Sequence, residues 1–163
     1  MSGAIENIRC GIGYDLHRLA EGRKLVLGGV EIASPRGSVA HSDGDVLSHA
    51  VVDALLGAAG LGDIGRHFPD TDPRWKGARS RIFLEEIRRL LAASGLRILN
   101  IDSVIILDEP KLALQIAAMS NNLAAWLGIE PAQVSVKAKT SEGTAPGVAA
   151  AHAVALLASG TSN

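Results

Sequence analysis

The stretch AHSDGDVLSHAVVDALLGAAGLGDIGRHFPDTD, residues 40–72, combines the pattern of a helix with an unusual concentration of ligand-type side chains. Apolar residues recur every three to four positions over residues 45–59, which predicts an amphipathic helix. Histidines and aspartates crowd the same stretch: His41, His49, His67, Asp43, Asp45, Asp53, Asp63, Asp70 and Asp72. Because such groups cost free energy when buried without partners, their concentration indicates a site rather than a core.

Upstream of this stretch, Asp15 and His17 stand two residues apart in a segment that reads as extended. Side chains alternate along a strand, so this spacing places both on one face. Together with His49 they form a set of two imidazoles and one carboxylate, which suits zinc and leaves a coordination position open. The alternative is that His49 lies on a helix surface and Asp15 in a turn. The long separation of His17 from His49 leaves both interpretations open.

The remaining pattern predicts an α+β fold: a mixed four-stranded sheet with helices packed on one face. The predicted strands cover residues 8–14, two short pieces within 24–32 that turn at Gly28 and Gly29, 98–107 and 133–139. The predicted helices cover residues 45–59, 78–94, 108–127 and the alanine-rich segment 147–159. Residues 57–75, rich in glycine and proline, are predicted to be an irregular loop. The chain is expected to form one domain, residues 1–163.

One short motif suggests a different function and is rejected on context. The segment GLGDIG, residues 60–65, matches the pattern GxGxxG of dinucleotide-binding proteins. In those proteins the glycines link a strand to a following helix. Here they come after a predicted helix, so the sequence does not favour a nucleotide-binding fold of that type.

Composition excludes several classes of partner. A net charge of −1 and an aromatic share of 3% supply neither the basic field nor the stacking groups of a nucleic-acid-binding protein. The single cysteine excludes a disulfide within the chain and suits a reducing compartment. No stretch has the roughly eighteen consecutive apolar residues of a membrane span, and the first residues lack a signal-peptide pattern. We therefore expect a cytoplasmic protein that binds neither nucleic acid nor membrane.

Three polar segments each allow a structural and a functional interpretation. Ser42 or Asp43 is expected to cap the helix at 45–59, and the exposed amides of that helix start could also hold a phosphate. The aspartates of the glycine-rich loop either stabilise turns or bind hydroxyls or a second cation. Residues 137–142 end a strand with lysines, hydroxyls and a carboxylate, which is a solvated strand end or a grip for phosphate and magnesium.

Taken in order, several pieces resemble the 2-C-methyl-D-erythritol 2,4-cyclodiphosphate synthase family. These are GIGYDLHRL (11–19), LVLGGVEI (25–32), the block at 40–65, HFPDTDPRWKGARS (67–80), IILDEPKL (105–112) and VSVKAKTSE (134–142). The resemblance implies cyclisation of 4-diphosphocytidyl-2-C-methyl-D-erythritol 2-phosphate with release of CMP, in non-mevalonate isoprenoid biosynthesis. It also implies a homotrimer whose active sites lie between neighbouring subunits.

The same resemblance implies a role for individual residues. Asp15, His17 and His49 would bind Zn²⁺, and Glu142 would help to hold Mg²⁺ or Mn²⁺. His41 and Thr140 would stabilise the transition state. The residues that would meet the rest of the substrate are Ser42, Asp63, Gly65, Phe68, Asp70 and Asp72. Those that would receive cytidine and its phosphates from the adjacent subunit are Leu107, Asp108, Glu109, Pro110, Lys111, Ala113, Lys139 and Ser141.

The chain departs from the family pattern in one segment. Residues 143–149, GTAPGVA, lack the arginine, the large apolar residue and the acidic residue that the family carries there. We predict a less basic cavity along the threefold axis of the trimer, with weak or no binding of isoprenoid diphosphates. Two other functions remain open at this point: a non-catalytic trimeric binding protein, and a metal-dependent phosphohydrolase that uses a metal-bound water and gives linear products.

Overall fold

The structure is a computed structural model and describes residues 7–159. Its strands are β1 (Asn7–Glu21), β2 (Leu25–Leu27), β3 (Val30–Ile32), β4 (Arg36–Ser38), β5 (Leu96–Ile106), β6 (Val134–Lys139) and β7 (Val148–Ser159). Its helices are α1 (Val46–Ala59), α2 (Ile64–His67), α3 (Ser80–Ala93) and α4 (Ile116–Leu127), with short 3₁₀ turns at Pro73–Trp75 and Pro131–Gln133.

The main sheet has five strands in the order β4, β1, β7, β5, β6. The neighbours are antiparallel except for β5 and β6, which run parallel. The α+β class and the mixed sheet are therefore confirmed, whereas the predicted count of four strands is wrong. β2 and β3 form a separate hairpin that turns at Gly28 and Gly29, both with positive φ, as the sequence predicts.

The alanine-rich segment at the end of the chain is a strand, so the prediction of a final helix is wrong. β7 lies in the middle of the sheet and pairs with β1 on one side and with β5 on the other. Its alanines suggest a helix by propensity. The hydrogen bonds supplied by two neighbouring strands outweigh that preference. β1 is also longer than predicted, because its last residues pair with β4.

The helices cover one face of the sheet, as predicted. α1 packs across β1 and β7, while α3 packs between α1 and α4. Contact between α1 and β1 is unusually close: a Cβ at Gly11 would overlap the carbonyl oxygen of Ala54, and a Cβ at Gly13 would overlap that of Ala50. Only glycine permits this approach of helix backbone to strand backbone. The side chains that follow on the same face of β1 are Asp15 and His17.

The opposite face of the sheet carries no helix within residues 7–159, and several of its apolar side chains are exposed. They are Ile8, Ile12, Tyr14 and Leu16 on β1 and Val154 on β7. Among the described residues, no helix has the length and the apolar character needed to cross a bilayer.

The connection before α4 also differs from the prediction. The predicted helix at 108–127 begins only at Ile116. The side chain of Asp108 accepts hydrogen bonds from the Ser141 backbone amide and hydroxyl, at 2.7 and 2.9 Å. These bonds hold the start of the connection beside the end of β6. The predicted helix at 78–94 and the strands at 98–107 and 133–139 are confirmed, with small shifts at their ends.

Candidate metal centre and surrounding site

Asp15, His17 and His49 converge although His49 lies more than thirty residues from the other two. Asp15 and His17 project from the covered face of β1, and His49 comes from the first turn of α1. The Asp15 Oδ2 atom lies 2.9 Å from His49 Nδ1 and 3.1 Å from His17 Nε2. One ligand atom from each residue lies within 4.8 Å of the other two. The close packing of α1 on the glycines of β1 produces this convergence.

The donor set fits a divalent metal ion. His17 Nε2 is buried, and it has no hydrogen-bond partner among residues 7–159, since its approach to Asp15 lacks hydrogen-bond geometry. A buried nitrogen without a partner is costly, and a cation shared with Asp15 and His49 would satisfy it. Two imidazole nitrogens and one carboxylate oxygen leave room for a further ligand, as catalytic sites of this type do.

Asp15 and His49 shift each other's pKa. Burial alone would raise the pKa of Asp15, but the hydrogen bond with His49 and the close approach of the His17 ring outweigh it and lower that pKa. Burial alone would lower the pKa of His49, but its hydrogen bond to Asp15 and the nearby charges of Asp15, Asp45 and Asp43 raise it. Asp15 and His49 therefore both favour their charged forms.

The other side of the His49 ring faces a second polar group. His49 Nε2 lies 3.1 Å from Ser80 Oγ and 3.3 Å from Ser42 Oγ. Ser80 donates its hydroxyl to Asp43 Oδ1 over 2.6 Å, and its backbone amide to Asp43 Oδ2 over 2.6 Å. Sequence reasoning gave Ser80 no role, because nothing in the pattern ARS at 78–80 indicates contact with a residue near position 49.

The cap of α1 is Asp45, and the prediction that Ser42 or Asp43 caps this helix is wrong. Asp45 Oδ1 accepts from the backbone amide of Ser48, and its two oxygens also accept from the amides of Gly28 and Gly29. Burial raises the pKa of this carboxyl, and the four donors that surround it oppose that effect. Asp45 thereby fixes the β2–β3 hairpin to the start of α1. Asp43 instead binds the first amide of α3.

Farther along α1, Asp53 connects the helix to the glycine-rich loop. Its Oδ1 accepts from the backbone amide of Ile64 over 2.7 Å. Burial raises the pKa of Asp53, and the charges of Asp63 and Asp15 add to this effect. Asp63 is therefore close enough to act electrostatically on this region, while its own Oδ1 caps α2 by accepting from the Arg66 amide.

The other predicted substrate residues of the loop have mixed surroundings. Phe68 is buried against Trp75 and Phe83, in an aromatic cluster beneath the loop. Asp72 caps the 3₁₀ turn at Pro73–Trp75 and pairs with Arg74, as expected of a turn aspartate. Gly65, Asp70 and His41 are exposed. The contacts of these residues with substrate stay predictions.

The two segments predicted to bind cytidine are brought together. The Leu107 amide donates to the Lys139 carbonyl over 2.9 Å, and Asp108 binds Ser141 as described above. Thr140 donates its hydroxyl to Glu142, which adopts a positive φ of 53°. Within residues 7–159 no hydrogen bond joins this second group to the Asp15, His17 and His49 group. The remaining predicted members are exposed or half-buried beside it: Glu109, Pro110, Lys111 and Ala113.

A basic residue that sequence reasoning missed lies next to this second group. Arg36 on β4 lines a pocket together with Leu107, Asp108 and Gly147, and a neighbouring pocket with Glu109 and Lys111. The short segment RGS at 36–38 resembles an ordinary turn, and only its pairing with the end of β1 places it here.

The fold and the site together define an α+β protein with a half-buried aspartate and two histidines arranged to bind a divalent cation. The family model described as the YgbB family matches residues 8–158. This chain belongs to that family.

Individual relatives agree with this assignment. The chain is 58% identical over 136 residues to the 2-C-methyl-D-erythritol 2,4-cyclodiphosphate synthase of Dechloromonas aromatica, covering 83% of this chain and 85% of that one. It is 54% identical over 158 residues to the enzyme of the same name from Laribacter hongkongensis, covering 94% and 97%. A structure of 2C-methyl-D-erythritol-2,4-cyclodiphosphate synthase in a CDP-bound form is 50% identical, with a TM-score of 0.87 over 91% of this chain and 99% of that chain.

Proposed function

We propose that this chain converts 4-diphosphocytidyl-2-C-methyl-D-erythritol 2-phosphate to 2-C-methyl-D-erythritol 2,4-cyclodiphosphate and CMP, a step of non-mevalonate isoprenoid biosynthesis. The observation that carries the proposal is the group of half-buried Asp15 and His17 with buried His49, in a chain closely similar to enzymes of that name. The reaction is an internal phosphoryl transfer. An oxygen of the 2-phosphate bonds to the β-phosphorus as the bond from that phosphorus to CMP breaks, and CMP leaves with the electron pair.

Metal ions complete the proposed site. Asp15, His17 and His49 would hold Zn²⁺, and Glu142 would contribute to a site for Mg²⁺ or Mn²⁺. Such ions supply Lewis-acid stabilisation of charge on phosphate oxygens. Nitrogen donors suit zinc, whereas a lone carboxylate with water suits magnesium. The two sites therefore differ in donor chemistry.

The side chains of the chain would bind and orient the anionic groups. His41 and Thr140 would donate to phosphate oxygens as charge develops, a contribution that is largest where water is excluded. The substrate's erythritol part would lie against the loop that carries Ser42, Asp63 and Gly65, bordered by Phe68, Asp70 and Asp72. Alignment of the two phosphates is the main requirement, since the nucleophile belongs to the substrate itself.

Cytidine recognition is assigned to the second group of residues. The segment with Leu107, Asp108, Glu109, Pro110, Lys111 and Ala113 would receive the base and ribose, with Lys139 and Ser141 near the phosphates. The hydrogen bonds between Asp108 and Ser141 support this assignment, because they join the two segments in one place. The CDP-bound relative shows that a similar protein binds a nucleotide of this kind.

The assembly and the setting are part of the proposal. A homotrimer would bring the cytidine segment of one subunit to the metal group of its neighbour. The exposed apolar side chains on the open face of the sheet, Ile12 and Tyr14 among them, support a subunit contact there. We further propose one synthase-like domain over residues 1–163, acting in the cytoplasm without nucleic-acid or membrane partners.

The deciding experiment is phosphorus NMR of the purified protein with the cytidyl substrate and Mg²⁺. CMP together with a cyclic diphosphate is expected. CMP with a linear product would replace the proposal by the phosphohydrolase, and absence of turnover would favour the non-catalytic binding protein.

The His49→Ala variant is the control for the role of the metal group. Alanine is tolerated in a helix, so the variant should fold while losing both stoichiometric zinc and turnover. Full zinc occupancy in this variant, measured by atomic emission, would contradict the ligand assignment.

A further inference from the structure

We propose that Ser80 and Asp43 form a positioning pair that fixes the orientation and the tautomer of His49 for metal binding. The pair consists of the Ser80 hydroxyl, which lies between His49 Nε2 and Asp43, and the Asp43 carboxylate. Neither residue has been placed among the ligands. The proposal rests on the metal site proposed above and deepens it.

The direction of the hydrogen bonds follows from the number of protons. A hydroxyl has one proton, and Ser80 gives it to Asp43 Oδ1 over the short distance of 2.6 Å. Its oxygen is then an acceptor for His49 Nε2 at 3.1 Å. Without a metal, His49 Nδ1 donates to Asp15 over 2.9 Å. A metal bound there would take the place of that proton, and the histidine would then be neutral with its remaining proton on Nε2 and a lone pair on Nδ1. Ser80 and Asp43 therefore hold the His49 ring so that the lone pair of Nδ1 is directed into the metal site.

The neighbouring polar groups fit this role less well. Ser42 Oγ lies 3.3 Å from the same nitrogen, and Asp43 Oδ1 lies 3.7 Å from it. Ser80 is the nearest acceptor and is only 1% exposed, whereas Ser42 is half-buried. Water competes least for the bond made by the more buried hydroxyl.

Backbone bonds hold the pair rigidly. Asp43 Oδ2 accepts from the Ser80 amide over 2.6 Å, which fixes the carboxylate to the first residue of α3. The Asp43 amide donates to the Ala78 carbonyl, and the Gly77 amide donates to that of His41. The segment before α1 and the segment before α3 are thereby joined. The orientation of His49 depends on contacts from α3 as well as from its own helix.

Partners of this kind have measurable consequences for metal affinity. A histidine ligand generally donates its second ring N–H to an acceptor, and loss of the acceptor typically weakens metal binding about 10–100-fold. For Ser80→Ala we expect a loss of affinity in that range with one metal still bound per chain. Loss of the His49 side chain, in contrast, should remove stoichiometric binding altogether.

The experiment is a Co²⁺ titration of the metal-free protein against a chelator of known affinity, followed by visible absorption. The variants are Ser80→Ala and the matched control Ser103→Ala, which also removes a hydroxyl from a buried serine. Ser103 is 3% exposed and donates to the Ser135 carbonyl over 2.9 Å. Its loss should leave cobalt affinity and the cobalt spectrum unchanged. Ser80→Ala should lower the affinity and shift the spectrum.

The outcomes separate failure of the pair from failure of the metal site. Stoichiometric cobalt in the parent protein with unchanged affinity in Ser80→Ala would overturn the pair and leave the site intact. Absence of cobalt binding in the parent protein would overturn both. A larger loss in Ser42→Ala than in Ser80→Ala would assign the acceptor to Ser42 and also overturn the pair.

A second variant keeps the test decisive if Ser80→Ala fails to fold. Asp43→Asn keeps one of the two oxygens that accept from Ser80 and removes the charge, while the Ser80 hydroxyl stays beside His49. We therefore expect a smaller loss of affinity, about several-fold. With Ser80→Ala unfolded, unchanged cobalt affinity in Asp43→Asn would overturn the pair.

Discussion

The two faces of β1 and β7 differ in side-chain size. One face accommodates a closely packed helix, and the other offers apolar contact area. On the covered face β1 presents Gly11 and Gly13, and β7 presents a row of buried alanines. On the open face the same strands present Ile12, Tyr14, His152 and Val154, all exposed, with the Tyr14 and His152 rings 4.7 Å apart. Small residues allow a helix to approach closely, whereas large apolar residues provide contact area.

The close approach on the covered face determines where the metal group forms. α1 lies near enough for His49 to meet Asp15 and His17 only because β1 has no side chain at Gly11 or Gly13. The open face lacks such a helix among the described residues, and its side chains are free to contact another subunit. One strand thus serves both purposes through its alternation of side chains.

The largest expected effect comes from filling the covered face. Gly13→Val would place its side chain against the backbone of α1 at Ala50. We expect destabilisation of about 3 kcal/mol or more, or failure to fold, because backbone atoms cannot move aside as a flexible side chain does. Urea unfolding monitored by circular dichroism measures the change, and cobalt binding should fall with it.

The matched control for this substitution is Gly57→Ala on α1. The nearest atom to a Cβ at Gly57 lies 3.8 Å away, so alanine fits without a clash. Replacing a glycine inside a helix should stabilise the fold by up to about 1 kcal/mol. Near-native stability and cobalt affinity in Gly13→Val would refute the account of close packing.

The covered face also shows what sequence alone can predict. The period of α1 and the spacing of Asp15 and His17 were enough to predict one helix and two side chains on one face of a strand, and both features are confirmed. That the two side chains bind a metal stays a prediction. That His49 meets them depends on the distance between helix and sheet. This distance follows from Gly11 and Gly13, whose role is visible only once β1 and α1 are known to be neighbours.

The errors have physical causes of the same kind. The alanines of β7 favour a helix locally, but they serve as small residues in a central strand beneath α1. Arg36 and Ser80 carry no local pattern at all, and tertiary pairing alone brings each to its site. Local propensity is a weak guide where neighbouring strands or distant side chains supply the hydrogen bonds.

The next effect in size concerns the open face. Ile12 is 72% exposed in the single chain, so Ile12→Asp should alter the stability of a subunit only slightly. If this face is the subunit contact proposed above, the charge should convert the trimer to monomers and remove turnover, while cobalt binding persists. Light scattering at micromolar concentration measures the mass. Ile12→Val is the control and should remain a trimer; an unchanged mass for Ile12→Asp would exclude Ile12 from the contact.

The smallest expected effect is on the pH dependence of stability, and it differs between a carboxylate on the covered side of the sheet and one on the open side. Burial and the charges of Asp63 and Asp15 raise the pKa of Asp53 on α1, whereas the hydrogen bond from Lys137 lowers that of Asp102 on β5. A raised pKa means that the folded state holds the proton more tightly. Its contribution to stability is therefore full below the unfolded pKa of about 3.9 and is lost as pH rises through the folded value.

For Asp102 the sign is opposite: its contribution is present above the unfolded pKa and is lost as pH falls through the folded value. Asp53→Asn keeps the acceptor for the Ile64 amide, so this variant should gain stability relative to the parent protein as pH rises from about 4 to 7. Asp102→Asn should be less stable than the parent protein above about pH 4, and this difference should shrink as pH falls towards about 2. Urea unfolding of the metal-free proteins at several pH values measures both slopes. Slopes of the same sign would show that the two sides of the sheet do not differ electrostatically in the way their packing implies.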